Sequence, residues 1–406
     1  MSAIKYWLWL SSQTNVSLRS RAELIRHYGD AERVWYAPDG EYAGIPGVSA
    51  SDAAILERRD LRGCDRILSD CDRMGIDIVT MQDARYPRCL SGIYAPPPVL
   101  YVRGKLPAVD DTPSIAIVGT RKASPYGLKM GRNLAFEISK CGGIIVSGLT
   151  EGIDRAAAMG CLMADGRCIG VLGTAHTAET RLQRDIAARG ALVSEYPPGT
   201  VTQKRFFRER NRISAGLSQG VVVVEAPEQS GSLLFAAEAL EQGLEIFAVP
   251  GNADSENSAG TIKLLKQGAK PVTCGWDVMC EFGKLFGEKI QRPSGGFKIP
   301  EDTGFGTDEY AKTATEAQKA GVSAKKEIDK EKSRGYIDLS EQLALLSEEQ
   351  LKIISAIDGG GTHIDDIIER TGLSTAKVLS QLTVLEIKGY VRRSAGRRIS
   401  LNTATK

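Results

Sequence analysis

Aromatic residues make up only 6% of this 406-residue chain, which argues against an all-β sandwich or barrel. An excess of one charge is also missing. Lys and Arg number 52 against 50 Asp and Glu, a net +2, so any basic site must be local. No apolar run approaches the length of a bilayer span. The opening MSAIKYWLWLSSQ lacks both the basic flank and the small-residue cleavage site of a signal peptide, so a cytoplasmic chain with no membrane partner is expected. Eight cysteines are scattered without zinc-site spacing, Cys64 and Cys71 having no histidine near them. They are read as buried, reduced thiols, with no metal.

The catalytic inventory is equally thin. The three histidines, His27, His176 and His363, are far apart in sequence and none has metal-ligand spacing. Neither the Walker A sequence nor G-x-G-x-x-G is present. Asp154, Glu225 and Glu238 could act as acids or bases, yet each has an equally good capping or surface role. No catalytic residue, no cofactor and no enzymatic activity are expected.

What is present is an ordinary apolar content of 42%, distributed with clear periodicities. Residues 1–80 read as short helices joined by glycine turns. Gly44-Ile45-Pro46-Gly47 resembles the hairpin of a helix-hairpin-helix or SAM-like module, although a plain helix-helix turn explains it better. A bridge, IDIVTMQDARYPRCLSGIYAPPPVLYVRGKL, carries a strand, a tyrosine-proline turn and a proline-rich entry to a second strand. It opens a domain over 81–280 in which SIAIVG, GIIVSG, CIGVLG, ALVSEY, GVVVVEA and EIFAVPG alternate with amphipathic helices. Near-continuous Val/Ile/Leu runs suit strands buried on both faces, so this is a Rossmann-like, doubly wound, mainly parallel α/β sheet. Residues 281–342, with AKKEIDKEKSRG, read as a flexible linker. Residues 343–406 read as a winged helix: three helices, the third capped by Ser374, then a strand pair.

Ligands of open parallel sheets sit at the carboxyl ends of the strands, which directs attention to four segments. Gly119-Thr120-Arg121-Lys122 follows the first strand and places two cations at that edge, or simply forms a charged surface turn. Ser147-Gly148, opening SGLTEGID, offers a backbone anion site, unless Asp154 is merely a helix N-cap. The stretch from Gln203 to Arg212 mixes five cations with two aromatics in ten residues. Lys204, Arg205, Phe207, Arg208, Arg210, Asn211 and Arg212 suit a single-strand groove in which cations follow phosphates and rings stack on bases. A charged helix start with core phenylalanines is the alternative. Ser230-Gly231 opens another helix, either as an anion cradle or as a structural turn.

The run from Ile115 to Gly275 resembles the DprA/Smf family. The matching pieces are IVGTR, VSGLTEGID, VLGT, SEYPPGT, RNRISAGLS, VVVVEAPEQSGSLL, FAVPGN and SAGTIKLLKQGA, and the flanking parts resemble the family's as well. The resemblance implies a protein that binds single-stranded DNA beside a Rossmann-like sheet, shields it, and helps load the recombinase RecA during natural transformation. It also implies a homodimer. The family's G-[ST]-R arginine falls on Arg121, and its F-P-x-R-N-R segment on Phe207 to Arg212. Arg208 replaces the proline there, Ala158 replaces a histidine, and TAHTAETRLQ lacks the usual glycine-aspartate and tyrosine-proline pattern.

The expected mechanism follows from these pieces. Arg121, Lys122 and the stretch from Lys204 to Arg212 line one groove, Gly119, Ser147, Gly148, Ser230 and Gly231 add backbone anion contacts, and binding is salt-sensitive with little sequence preference. Two other readings remain open. One is a hydrolase of nucleotide derivatives on a related fold. The other is a winged-helix transcription regulator, whose third helix offers Lys377 and Lys388 while Arg392, Arg393, Arg397 and Arg398 line its wing.

Overall fold

A computed structural model describes residues 3–292, 296–297, 299, 346–358, 361–394 and 398–401. Its centre is a nine-stranded sheet. The strands are β1 (Asp77–Thr80), β2 (Val99–Gly104), β3 (Ser114–Val118), β4 (Ile144–Ser147), β5 (Cys168–Leu172), β6 (Ala191–Ser194), β7 (Gly220–Val223), β8 (Glu245–Ala248) and β9 (Lys270–Pro271). They lie in the order β1-β2-β6-β5-β4-β3-β7-β8-β9. From β6 to β9 every pairing is parallel, whereas β2 runs antiparallel to β6 and to β1. The doubly wound reading therefore holds, with an antiparallel edge contributed by the bridge.

Period-two alternation divides each strand between two cores. Ala116, Val146, Val171, Val221 and Val223 face one layer, with Ile213, Leu217 and Phe235 from the helices Phe206–Gly216 and Gly231–Glu241 and the residues that follow them. Ile115, Ile117, Ile145 and Val222 face the other, with Leu134, Ile138 and Ala157 from the helices Pro125–Lys140 and Ile153–Met163. The strand order reverses between β3 and β7, which part as their chains leave to opposite faces. A crevice opens at such a switch point.

The N-terminal helices build a separate core around Trp7, Trp9, Leu24 and Tyr42, closed by Val99 and Tyr101 of β2. The hairpin glycine Gly47 (φ +90°) is roofed by Arg19 and Glu23, whose side chains would meet an added Cβ at 3.1 and 2.9 Å. It behaves as a helix-helix turn. Residues 281–292, assigned to the linker from sequence, instead continue the sheet domain. Phe282 is buried in the second core, Phe286 and Ile290 pack against it, and Gln291 donates its N–H to the carbonyl of Cys141. Of the rest of that linker, 296–297 and 299 are described and the remainder lies outside the described residues.

The tail forms helices Glu348–Ser355, Ile364–Thr371 and Thr375–Ile387 with strands β10 (Thr362–His363), β11 (Val391–Ser394) and β12 (Arg398–Leu401), ordered β10-β12-β11. This is the expected winged helix with one additional short strand. Ser374 occupies the N-cap position of the third helix, but its side chain makes no capping bond. The cysteines are free, and five are buried, as expected. Cys89 and Cys274 are half-buried and Cys280 is exposed. Among the described residues no helix is long and apolar enough to cross a membrane.

Candidate nucleic-acid interface

A cleft of about 360 Å³ lies at the β3/β7 switch point. Its walls come from the turn after β3, the loop after β4, the helix Phe206–Gly216 and the start of the helix Gly231–Glu241. The turn after β3 is held by Thr120 N–H donating to the Glu225 carbonyl at 2.7 Å. Gly119 cannot carry a side chain there, because a Cβ would lie 2.4 Å from Ile153. The loop after β4 is wound tightly, with Leu149 at φ +53° and Gly152 at φ +81°. A Cβ on Gly152 would sit 2.3 Å from the Thr120 carbonyl, so the two loops touch through bare backbone.

The charged lining of the cleft is three arginines and one aspartate: Arg121, Arg208, Arg210 and Asp154. Arg121 and Arg208 are exposed and free to follow an anion. Arg210 is not. It is 6% exposed, spends Nη1 on the Val171 carbonyl at 3.0 Å, and leaves Nε without a partner. Burial lowers its pKa, against the attraction of Asp154. Asp154 is also buried, and that burial raises its pKa although Arg210 and a 2.9 Å hydrogen bond from Thr150 oppose the shift. It lies inside the first turn of its helix, with Gly152 at the cap position, so the N-cap alternative does not hold.

The basic stretch divides between the cleft and the scaffold beside it. Phe207, Arg208, Arg210 and Asn211 face the cleft. Phe206 faces away and stacks on Tyr196 with ring centroids 3.9 Å apart. Arg212 requires a correction: it is 3% exposed and pairs with Glu195 at 2.7 Å, donating also to the Ala95 carbonyl at 3.0 Å. A buried guanidinium with its donors engaged this way is part of the scaffold, not of a groove. Arg205 is exposed, but it lies over the Phe206 ring, bonds Gln203 at 2.8 Å and reaches the Thr14 carbonyl. Lys204 and Lys122 are exposed, yet neither they nor Arg205 line the cleft.

Of the backbone sites, Gly119, Gly148, Ser230 and Gly231 line the cleft. Ser147 does not, because its hydroxyl is committed to the Asp154 carbonyl at 3.0 Å and to the Leu149 N–H at 3.1 Å. Ser230 caps the helix Gly231–Glu241 by accepting from the Ser232 N–H at 3.2 Å. Thr120, Thr150, Gln229, Leu234 and Phe235 also line the cleft, and the sequence reading did not single them out. Their neighbours in SGLTEGID and EAPEQSGSLL were the available signal.

The other acidic candidates are committed elsewhere. The Glu225 carboxylate accepts Ser124 N–H at 2.9 Å and Ser124 Oγ at 2.5 Å, fixing the start of the helix Pro125–Lys140. Burial and then the like charge of Glu241 raise the pKa of Glu238, against the attraction of Lys388. The third helix of the winged helix lies against Gly231–Glu241. Lys388 reaches Glu241 at 2.5 Å, Gln350 donates to the same carboxylate at 2.7 Å, and Val384 is fully buried. Arg393 pairs with Glu386 at 3.0 Å and Lys377 with Glu349, whereas Arg392 and Arg398 are exposed. Arg397 lies outside the described residues.

Residues 77–283 match the family model of DNA recombination-mediator protein A, and residues 339–397 match that of the DprA winged helix domain. The chain belongs to the DprA/Smf family of DNA-processing proteins. It is 31% identical over 404 residues to the protein Smf of Synechocystis sp., covering 97% of each. To the DNA processing protein DprA of Bacillus subtilis it is 41% identical over 221 residues, 53% of this chain and 74% of that one. The X-ray structure of DprA from Streptococcus pneumoniae superposes with a TM-score of 0.59 at 32% identity, covering 68% of this chain and 97% of that one.

Proposed function

We propose that this DNA-processing protein acts in the cytoplasm as a non-enzymatic binder of single-stranded DNA, and that the strand runs through the cleft at the β3/β7 switch point. The observation that carries the reading is the cleft's make-up: three arginines against one aspartate, the Phe207 ring, and the start of the helix Gly231–Glu241. Arg121 and Arg208 meet phosphates, the N–H groups at Gly231 add a neutral anion cradle, and the ring stacks on a base. Lys122 and Lys204, exposed outside the cleft, extend the positive surface along the strand.

Membership of a recombination-mediator family supports a role in DNA uptake and transformation, with RecA as the partner loaded onto the strand. It also supports a homodimer, in which two clefts on one strand gain avidity. The chemistry of the cleft favours binding over hydrolysis. Asp154 lies buried near Arg210, and among the described residues it is the one acid in the lining, with no histidine there to complete a catalytic pair.

Fluorescence anisotropy with labelled oligo(dT) and duplex competitor tests the reading. Wild-type protein binds the single strand tightly and duplex poorly. A folded Arg121→Glu, Arg208→Glu variant loses affinity by about 100-fold or more, since each reversal removes a contact and adds a repulsion. Strand binding that survives both reversals would place the strand elsewhere.

A further inference from the structure

We propose that Glu225, helped by Asn257, is a positioning residue for strand binding: buried behind the cleft, it holds the loop after β3 in the shape that presents Arg121 and Lys122 to the phosphates. The proposal rests on the single-strand reading and gives a role in it to a side chain that does not touch the strand.

Glu225 follows β7 and is 4% exposed. It grips the loop at both ends. Its main-chain carbonyl accepts the Thr120 N–H at 2.7 Å. One carboxylate oxygen accepts the Ser124 N–H at 2.9 Å and the other accepts the Ser124 hydroxyl at 2.5 Å. Asn257, in the short turn Glu256–Ser258, holds the middle: its Nδ2 donates to the Lys122 carbonyl at 3.1 Å and lies 3.5 Å from the Glu225 carboxylate. The Asn257 carbonyl in turn accepts the Ala226 N–H at 2.7 Å, which ties that turn to the residue after Glu225. The carboxylate fits against the helix Pro125–Lys140 because position 127 is glycine, where a Cβ would fall 2.3 Å from Glu225 Oε2. Between these anchors Arg121 and Lys122 are exposed, Arg121 at the cleft.

A carboxylate is an unexpected group to bury behind an anion site. Its charge repels the phosphates of a bound strand, and burial makes it costly unless its oxygens are bonded. Here both are bonded, and the donors belong to the loop and to the asparagine that holds it. Capping the helix Pro125–Lys140 does not need the carboxylate, because Ser124 Oγ itself accepts the Gly127 N–H at 3.1 Å. What the two bonds to Ser124 add is a fixed end for the loop. With Thr120 pinned at the other end, the residues carrying the two cations are ordered on folding, and that entropy is not lost again when the strand binds. Charge and positioning therefore predict opposite signs. If only its charge mattered, removing Glu225 would tighten strand binding; if it positions the loop, removal weakens it.

The test is a double-mutant cycle on the full chain, read by oligo(dT) anisotropy at low salt. Glu225→Ala should weaken binding about tenfold, although it removes a negative charge. The same substitution should change little in an Arg121→Ala, Lys122→Ala background, where the loop has no cation left to position. In an Arg208→Ala background, whose arginine sits on another element, the loss should persist undiminished. Glu225→Gln keeps an acceptor for the Ser124 N–H and should recover most of the affinity. Asn257→Ala leaves Glu225 in place, so it should weaken binding less and show the same dependence on background, and it carries the test if Glu225→Ala does not fold. Tighter binding by Glu225→Ala, or a loss of equal size in all backgrounds, would overturn the positioning role and leave strand binding intact. No binding of oligo(dT) by wild-type protein would overturn the functional reading beneath it.

Discussion

Arg208 and Arg212 are four residues apart on one helix, yet one is exposed at the cleft and the other is sealed against Glu195. Composition put both in a groove, because a count of cations carries no direction. Nor does the 3.6-residue period, which leaves residues i and i+4 only about 40° apart; Arg212 is set apart by the Glu195 carboxylate and the Ala95 carbonyl that meet it, while Phe207, Arg208, Arg210 and Asn211 line the cleft. The consequence is measurable. Arg212→Met leaves the Glu195 carboxylate buried beside a more distant Arg21, 4.0 Å away. It should cost about 3–5 kcal/mol in urea unfolding, whereas Arg208→Ala, on an exposed side chain, should cost under about 0.5 kcal/mol. Asp154 gives a second prediction with a definite sign. Its pKa is raised by burial, so the folded state holds its proton more tightly than the unfolded chain does. Its contribution to stability is therefore present at acid pH and is lost as pH rises from the ordinary carboxyl range, about 4, through the raised folded value. Asp154→Asn should raise the melting temperature at pH 7, and the gain should vanish toward acid pH. A gain that persisted unchanged in acid would contradict the assignment.

At the scale of the element, the cleft exists because β3 and β7 part and their loops are free of side chains where they meet. Gly152 is the sharpest case, with a positive φ and the Thr120 carbonyl in the way of any Cβ. Gly152→Ala should destabilise the fold by about 1–3 kcal/mol and weaken strand binding at the same time, whereas Gly231→Ala, with open space around its Cβ, should do little to stability. The sequence made the six central strands legible, since runs such as SIAIVG and GVVVVEA alternate with helices at regular intervals. It made the two bridge strands legible as strands. Their antiparallel pairing onto β6 was not, because pairing direction is a long-range matter that no local period encodes. The short β9 and β10, of two residues each, carry too few residues to show any period.

At the scale of the whole molecule, the helix Gly231–Glu241 joins three parts. Its first turn lines the cleft, its middle packs on the sheet, and its last turn receives the winged helix through Glu241. The winged-helix tail was legible as a domain from its helix periods and turn residues. Its docking was not, because Val384 and Lys388 look in sequence like any apolar and basic pair near a helix end. Glu241→Lys or Lys388→Glu alone should loosen the contact and speed amide hydrogen exchange in the helix Thr375–Ile387, and the double reversal should restore protection. Unchanged exchange in the single variants would show that apolar contact at Ile387, which packs against the first core of the sheet domain, suffices. The functional account itself stands on the strand meeting its phosphates at Arg121 and Arg208. The most direct measurement is therefore the slope of log K against log salt concentration for oligo(dT). Wild type should give a steep negative slope, about −0.7 per phosphate neutralised, and a folded Arg121→Ala, Arg208→Ala variant should give a slope shallower by about 1.4, the share of two phosphates. A slope that is the same in both proteins, or an affinity indifferent to salt, would contradict the account.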